Sequence, residues 1–350
     1  MPAGRAGQTE TSFQWVFVLI AGIALLLLFL MLVRGVSRTG EEQATAGDLR
    51  AAASLMASLA WEGSSVRNVT LPEARVACRA GALTLEAGTA TVGVDSAPIY
   101  LPPTVGGRAR IVTRDLALGD GTPAPFPFGG VAYALDARTA YLIVEDQRGL
   151  GDSLIRDLPD ANIARVQVDD LDRPGALAGA VQGTPRTIVL VIVGTDADLA
   201  RANISGLPAT ADVRGVALQP RSERGGVATF FTHDAGRLAP VGGAPYAHDR
   251  IGVGMVIAAD RDAAWCATDV AAERARAIVA IAAVRAGELS PEVADPACGA
   301  LLGQAADLLD AVASRAGTGA FLDALVGAEP DIIALQGNLL TRPGDCPGVA

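Results

Sequence analysis

The sequence predicts a mixed α/β fold made of an N-terminal transmembrane helix, a β-rich zone, a parallel βαβ-type sheet and a helical C-terminal segment. Three observations carry this. No charged residue lies between Thr11 and Val33, and Trp15 to Val33 contains no polar side chain. Thr187-Ile-Val-Leu-Val-Ile-Val-Gly194 is a continuous β-branched and Leu run, the pattern of a strand covered on both faces. From Arg261 onward, apolar residues recur at helical spacing.

Taken in order, residues 1–12 form a polar tail and residues 13–34 the span. About 20 apolar residues at ~1.5 Å rise cross a ~30 Å hydrocarbon core. Trp15 suits an aromatic anchor at the membrane interface. A cleaved secretory signal would have a shorter apolar core, roughly 7–15 residues, and Leu32-Val33-Arg34-Gly35 is a poor cleavage site. The 187–194 run is too short to cross, so one span is expected and the bilayer is the first partner.

Residues 35–64 form a juxtamembrane segment. Within it, Leu49, Ala52, Ala53, Met56, Leu59 and Ala60 make one helical stripe before Gly63. The stripe reads as packing on the protein's own head, with a protein partner as the competing reading. Residues 65–150 form the β-rich zone, with strands expected at 75–78, 83–85, 89–94, 108–113 and 140–144 between Gly, Pro and Asp. Pro123 to Gly130 is expected to be irregular, because Pro removes donors.

Residues 151–260 read as α/β. The 187–193 strand is followed by a helix capped by Thr195 or Asp196 and running to about Ile204, then by a strand at 213–218. Strand, helix, strand implies a parallel pair with a right-handed crossover. Segments 226–231 and 251–258 read as further strands. Residues 261–350 are helical: 262–286 with a stripe of Cys266, Val270, Ala277, Ile281 and Val284, then Leu301 to Val312, then 331–340.

Composition removes several chemistries. The 350 residues carry a formal net charge of −10 and no Lys. Schiff-base and phosphate-loop lysines are therefore excluded. The acidic balance argues against nucleic acid as a partner. The two His, His233 and His248, each precede an Asp, but neighbouring residues on a strand face opposite ways, so neither pair makes a carboxylate–imidazole contact by spacing alone, and as residues of Gly-rich loops both are expected on the surface. Asp169, Asp170 and Asp172 lack the Gly and Glu of a calcium loop, and Asp196 and Asp198 sit where a helix N-terminus favours acids. Gly194-Thr195 lacks the glycines of a phosphate turn. No catalytic, cofactor or metal residue is assigned, and no cofactor is expected. An anchored hydrolase or transferase is the competing class.

Cys78, Cys266, Cys298 and Cys346 are even in number and widely spaced, which reads as two disulfides in an oxidising compartment. Four cysteines allow three pairings. If the first two C-terminal helices form an antiparallel hairpin, their starts lie roughly 30 Å apart, which excludes Cys266–Cys298. The third helix then returns Cys346 to Cys298 and leaves Cys78 for Cys266. Asn68-Val-Thr70 and Asn203-Ile-Ser205 are glycosylation sequons that agree with an outside location.

The stretch Gly7-Gln-Thr-Glu-Thr-Ser-Phe-Gln-Trp15 to Gly22 resembles a family of archaeal single-span membrane proteins from small-genome lineages. The resemblance continues through Cys78, Pro127-Phe128-Gly-Gly, Tyr141, Leu158-Pro159, Trp265-Cys266, Cys298, Asn338-Leu-Leu and Cys346-Pro347. It implies a membrane-anchored head without an assigned activity. Gly7-Gln8 ahead of an apolar helix also looks like an archaeal pilin leader, but Ser12 stands where such leaders place Glu, and Glu10 falls two positions early. A pilin-like structural subunit is the runner-up to a cell-surface binding or structural module.

Orientation draws opposite signals. Arg34, Arg38 and Arg50 follow the span and only Arg5 precedes it, which favours a cytoplasmic head by charge counting. Long domains translocate largely regardless of charge. The cysteines and sequons therefore place the head outside in this reading.

Overall fold

The computed structural model describes residues 44–60, 63–94, 97–118, 126–145, 161–194, 198–220, 225–341 and Cys346, together with Leu27 and Met31. The rest of the predicted span, with Trp15, lies outside the described residues; Leu27 and Met31 are helical and exposed. Among the described residues no helix is long and apolar enough to cross a membrane.

Helix α1 covers residues 44–59. Its predicted stripe is the face it buries: Leu49, Ala52, Ala53, Met56, Leu59 and Ala60 are all in the core. They join Val76, Leu83, Leu85, Ile111 and Ala134 in one cluster on the outer face of the first sheet. Each such large aliphatic side chain contributes about 1.5–3 kcal/mol when removed from water.

That sheet comprises β1 (Val66–Arg79), β2 (Ala82–Ala87), β3 (Ala90–Gly93), β4 (Ile99–Tyr100), β5 (Thr104–Leu118) and β6 (Phe126–Asp136), in the order β3-β2-β1-β5-β6-β4. The β1–β2 hairpin closes through Ala80 and Gly81, both at positive φ, as a two-residue hairpin turn requires. Alternation divides the faces. Ile111 packs with α1, whereas Val112 enters the main core on the other side. The expectation of irregularity at 123–130 is corrected from Phe126 onward, where Pro127 lies within β6 opposite Ala117; residues 123–125 lie outside the described residues. The register shifts at that point, so the missing donor falls where ladder pairing is already interrupted.

The second sheet holds β7 (Thr139–Glu145), β8 (Asn162–Gln167), β9 (Thr187–Val193), β10 (Asp212–Pro220), β11 (Gly226–Asp234) and β12 (Arg237–Tyr246), in the order β12-β11-β10-β9-β7-β8. β8, β7, β9 and β10 run parallel, as the β-branched run predicts, and β11–β12 add an antiparallel hairpin. All seven residues of β9 are buried. Val189 and Val191 enter the main core, and Ile188, Leu190 and Ile192 enter a cluster on the opposite face. The crossovers are slighter than expected. Among the described residues between β9 and β10 there is a 3-10 turn, Leu199–Arg201, and not a helix running to Ile204, with Gly206 in the left-handed region after it; the start of the predicted helix at Thr195 and Asp196 lies outside the described residues. Between β8 and β9 lie a 3-10 turn, Val168–Asp170, and the short helix α2 (Ala176–Ala180).

Residues 251–258 are helical, not extended. They belong to α3 (Asp249–Ala258), in which every residue from Ile251 to Ala258 is buried. A helix covered on all sides shows no polar face, so its apolar run is indistinguishable from a buried strand by period. Three longer helices follow: α4 (Arg261–Leu289), α5 (Pro296–Ala313) and α6 (Thr318–Thr341). The buried face of α4 is not the predicted stripe. It shares only Cys266 with that stripe and otherwise includes Ala264, Ala267, Ala271, Ala275, Val279, Ala282 and Ala286, while Ile281 and Val284 are 67% and 61% exposed. Small side chains let α4 approach the neighbouring elements closely, which the larger residues would prevent. α6 is longer than the predicted 331–340 helix and continues through Pro330.

Candidate functional site

The structure pairs Cys78 with Cys266 and Cys298 with Cys346, each with Cα atoms 6.0 Å apart, within the normal disulfide range. The pairing is the one the hairpin geometry predicts. Cys78 lies at the end of β1 and Cys266 near the start of α4, so the first bond ties the first sheet to the helical segment. Cys298 opens α5 and Cys346 follows α6, so the second closes the helical end.

The other singled-out residues are scattered. His233 is exposed near the end of β11. His248 is buried, contrary to the surface reading, because it serves as the N-cap of α3. Its Nδ1 accepts from the Arg250 backbone N–H at 3.1 Å, its Nε2 lies 3.2 Å from the Ala117 carbonyl, and its ring meets Phe128 edge-on. One side chain thus satisfies an open helix N–H and bridges α3 to β5. Replacing His248 with Ala is expected to destabilise the protein by about 1–2 kcal/mol in denaturant unfolding. The same change at His233 should stay within ~0.5 kcal/mol.

Asp198 caps the 3-10 turn by accepting from the Ala200 N–H at 2.9 Å, which explains it structurally. Asp170 pairs with Arg173 at 2.6 Å. Thr195 and Asp196 lie outside the described residues. Among the described residues no group of three or more His, Cys, Asp or Glu converges. Asn203 is half-buried and accepts from the Ser205 N–H at 3.1 Å, whereas Asn68 is exposed on β1.

Asn68 opens onto the feature that sequence reasoning missed, a groove of about 510 Å³ where the first sheet meets the start of β8. Its floor is set by strand register. Thr70 lies opposite Arg108 and Asn68 opposite Arg110 across β1 and β5, and Arg110 lies opposite Leu135 of β6. Further along β5, the same face carries Val112, Leu116 and Leu118 into the main core. That face is apolar there except for Arg114, and it carries Arg110 and Arg108 toward the groove. Asn162 of β8 forms part of the wall.

Asp136, also at the groove, is buried and committed elsewhere. Arg138 donates to it from its backbone N–H at 2.9 Å and from Nη2 at 3.2 Å. The same guanidinium reaches Glu73 at 2.9 Å, and Arg186 reaches Glu73 at 3.0 Å. Hydrogen bonds from Arg186 and Arg138 hold the Glu73 carboxyl below its usual range. Two acids and two guanidiniums thus balance in charge and tie β1 to the second sheet. Burial pushes the phenol of nearby Tyr141 up, and the charge on Asp136 adds to that shift. Arg108 is exposed and makes no ion pair among the described residues. Arg108 therefore brings an exposed positive charge to the lining of the groove. The Arg108-Ala-Arg110 alternation was its only sequence signal, and nothing in the sequence says that this end of the sheet is left open.

Compared with protein-family models, curated proteins and solved structures, the chain matches none.

Proposed function

We propose that this is a membrane-anchored cell-surface protein whose α/β head acts as a binding or structural module. The observation that carries the reading is the pair of disulfides, which tie sheet to helix and helix to helix. Bonds of this kind persist in oxidising compartments and are rare where thiols are kept reduced. They support a head outside the membrane, with residues 13–34 as its tether and the N-terminus inside. The uncharged stretch from Thr11 to Val33 supports the tether. The groove lined by β1, β5 and the start of β8 supports a binding role, because it offers a concave surface of ligand size.

Protease added to intact cells tests the topology. Digestion of the head without lysis is the expected outcome. Full protection, with digestion only after lysis, would contradict it.

A further inference from the structure

We infer that Asn68 carries an N-linked glycan in the folded protein, and that Asn203, in the chain's other Asn-x-Ser/Thr sequence, does not. The inference rests on the reading that the head lies outside the membrane. The choice between the two positions comes from their surroundings.

Both sequons are complete, Asn68-Val69-Thr70 and Asn203-Ile204-Ser205, with no Pro at the middle position. The reaction is the same at each. The side-chain amide nitrogen attacks C1 of a sugar carried on a lipid-linked phosphate donor. A C–N bond forms as the C1–O bond to phosphate breaks, and the amide proton passes to a base of the transferase. What differs is whether the folded chain has a place for so bulky a product.

Asn203 has none. Its side chain closes a turn onto Ser205, with Oδ1 accepting from the Ser205 backbone N–H at 3.1 Å and from the Ser205 hydroxyl. Its Nδ2, the atom that would bear the sugar, donates to the Asp172 carbonyl at 3.4 Å. Its backbone N–H donates to the Leu171 carbonyl at 2.8 Å. Ala202 and Ile204, on either side, are buried in the cluster on the outer face of the second sheet. A sugar on Nδ2 has to push residues 171–172 away from a segment that is pinned on both flanks.

Asn68 is the opposite case. It is exposed on β1, and its side chain makes no hydrogen bond among the described residues. Strand periodicity sets Thr70, also exposed, on the same face, so the hydroxyl that completes the sequon stands clear of the core. Beside Asn68 lies the groove of about 510 Å³, which gives the first sugar room against the sheet. Among the described residues, β2 joins β1 only from Arg75 onward, so Asn68 has a paired strand on one side alone. A hydrophilic chain at such an edge also blocks strand pairing with another molecule.

Peptide mapping by mass spectrometry, on the full chain extracted from its native membrane, provides the test. The chain has no Lys, so trypsin cuts only after Arg and puts the sequons on separate peptides, residues 68–75 and 202–214. The 68–75 peptide is expected chiefly in a glycan-bearing form, and the 202–214 peptide unmodified. Thr70→Val, which removes the hydroxyl and keeps the side chain's shape, should abolish the glycan, and Thr70→Ser should retain it. If Thr70→Val does not fold, the map of the unaltered chain decides alone. A bare Asn68, a glycan on Asn203 of the folded protein, or a glycan that survives Thr70→Val would overturn the inference. Protease added to the same intact cells separates the causes. A digested head with a bare Asn68 refutes the glycan and leaves the topology standing, whereas a protected head with a bare Asn68 refutes both.

Discussion

Replacing Cys78 and Cys266 together with Ser is expected to lower the free energy of unfolding by about 5 kcal/mol. Their disulfide closes a sequence separation of 188 residues, and chain entropy makes the unfolded state costlier to constrain as the loop grows. The corresponding change at Cys298 and Cys346, with a separation of 48 residues, should cost about 4 kcal/mol. The first bond matters beyond entropy, since Cys266 is buried in the cluster that α1 makes with the first sheet. Urea unfolding of the full chain in detergent reads both values. A shift under about 1 kcal/mol for the Cys78/Cys266 variant would mean that the sheet and the helical segment hold together without the bond.

Gly254→Ala should destabilise the protein by about 3 kcal/mol, against the direction that helix propensity gives. Ala in a helix interior is favoured over Gly by about 1 kcal/mol. At position 254, however, a Cβ would sit 2.4 Å from Cδ2 and 2.5 Å from Cε2 of the Tyr100 ring. Tyr100 is fully buried, its hydroxyl lies 3.0 Å from Thr268 Oγ1, and its ring lies 6.2 Å from that of Tyr133. The ring cannot yield without breaking that hydrogen bond and moving its neighbours, so overpacking wins. In a Tyr100→Ala background the ring is gone, and Gly254→Ala should become neutral or stabilising. A double-mutant cycle of thermal or urea unfolding measures this. Equal effects in both backgrounds would refute the contact.

The elements legible in the sequence are those whose pattern reports burial directly. The stripe of α1, the unbroken apolar run of β9 and the helix-hairpin geometry behind the two disulfides all correspond to what the structure holds. The failures have physical causes. α3 is buried on every side, so it has no period to read. α4 packs through Ala and leaves Ile281 and Val284 outside, because distance of approach, and not residue size, chose its inner face. β12 is threaded through Pro240, Gly242, Gly243 and Pro245, residues that normally punctuate strands, and survives as the sheet's edge. Pro127 is tolerated at a register shift. His248 looked like a loop residue because its value lies in capping a helix that was itself misread. The groove depends on where the covering of the first sheet stops, which is a tertiary property.

A head stapled by two disulfides belongs in an oxidising compartment. The most direct test is to alkylate intact cells and then their lysate before any reduction, and map the peptides under non-reducing conditions. One peptide linking Cys78 to Cys266, another linking Cys298 to Cys346, and no alkylated thiol are expected. Four alkylated cysteines, or a peptide linking Cys266 to Cys298, would contradict it.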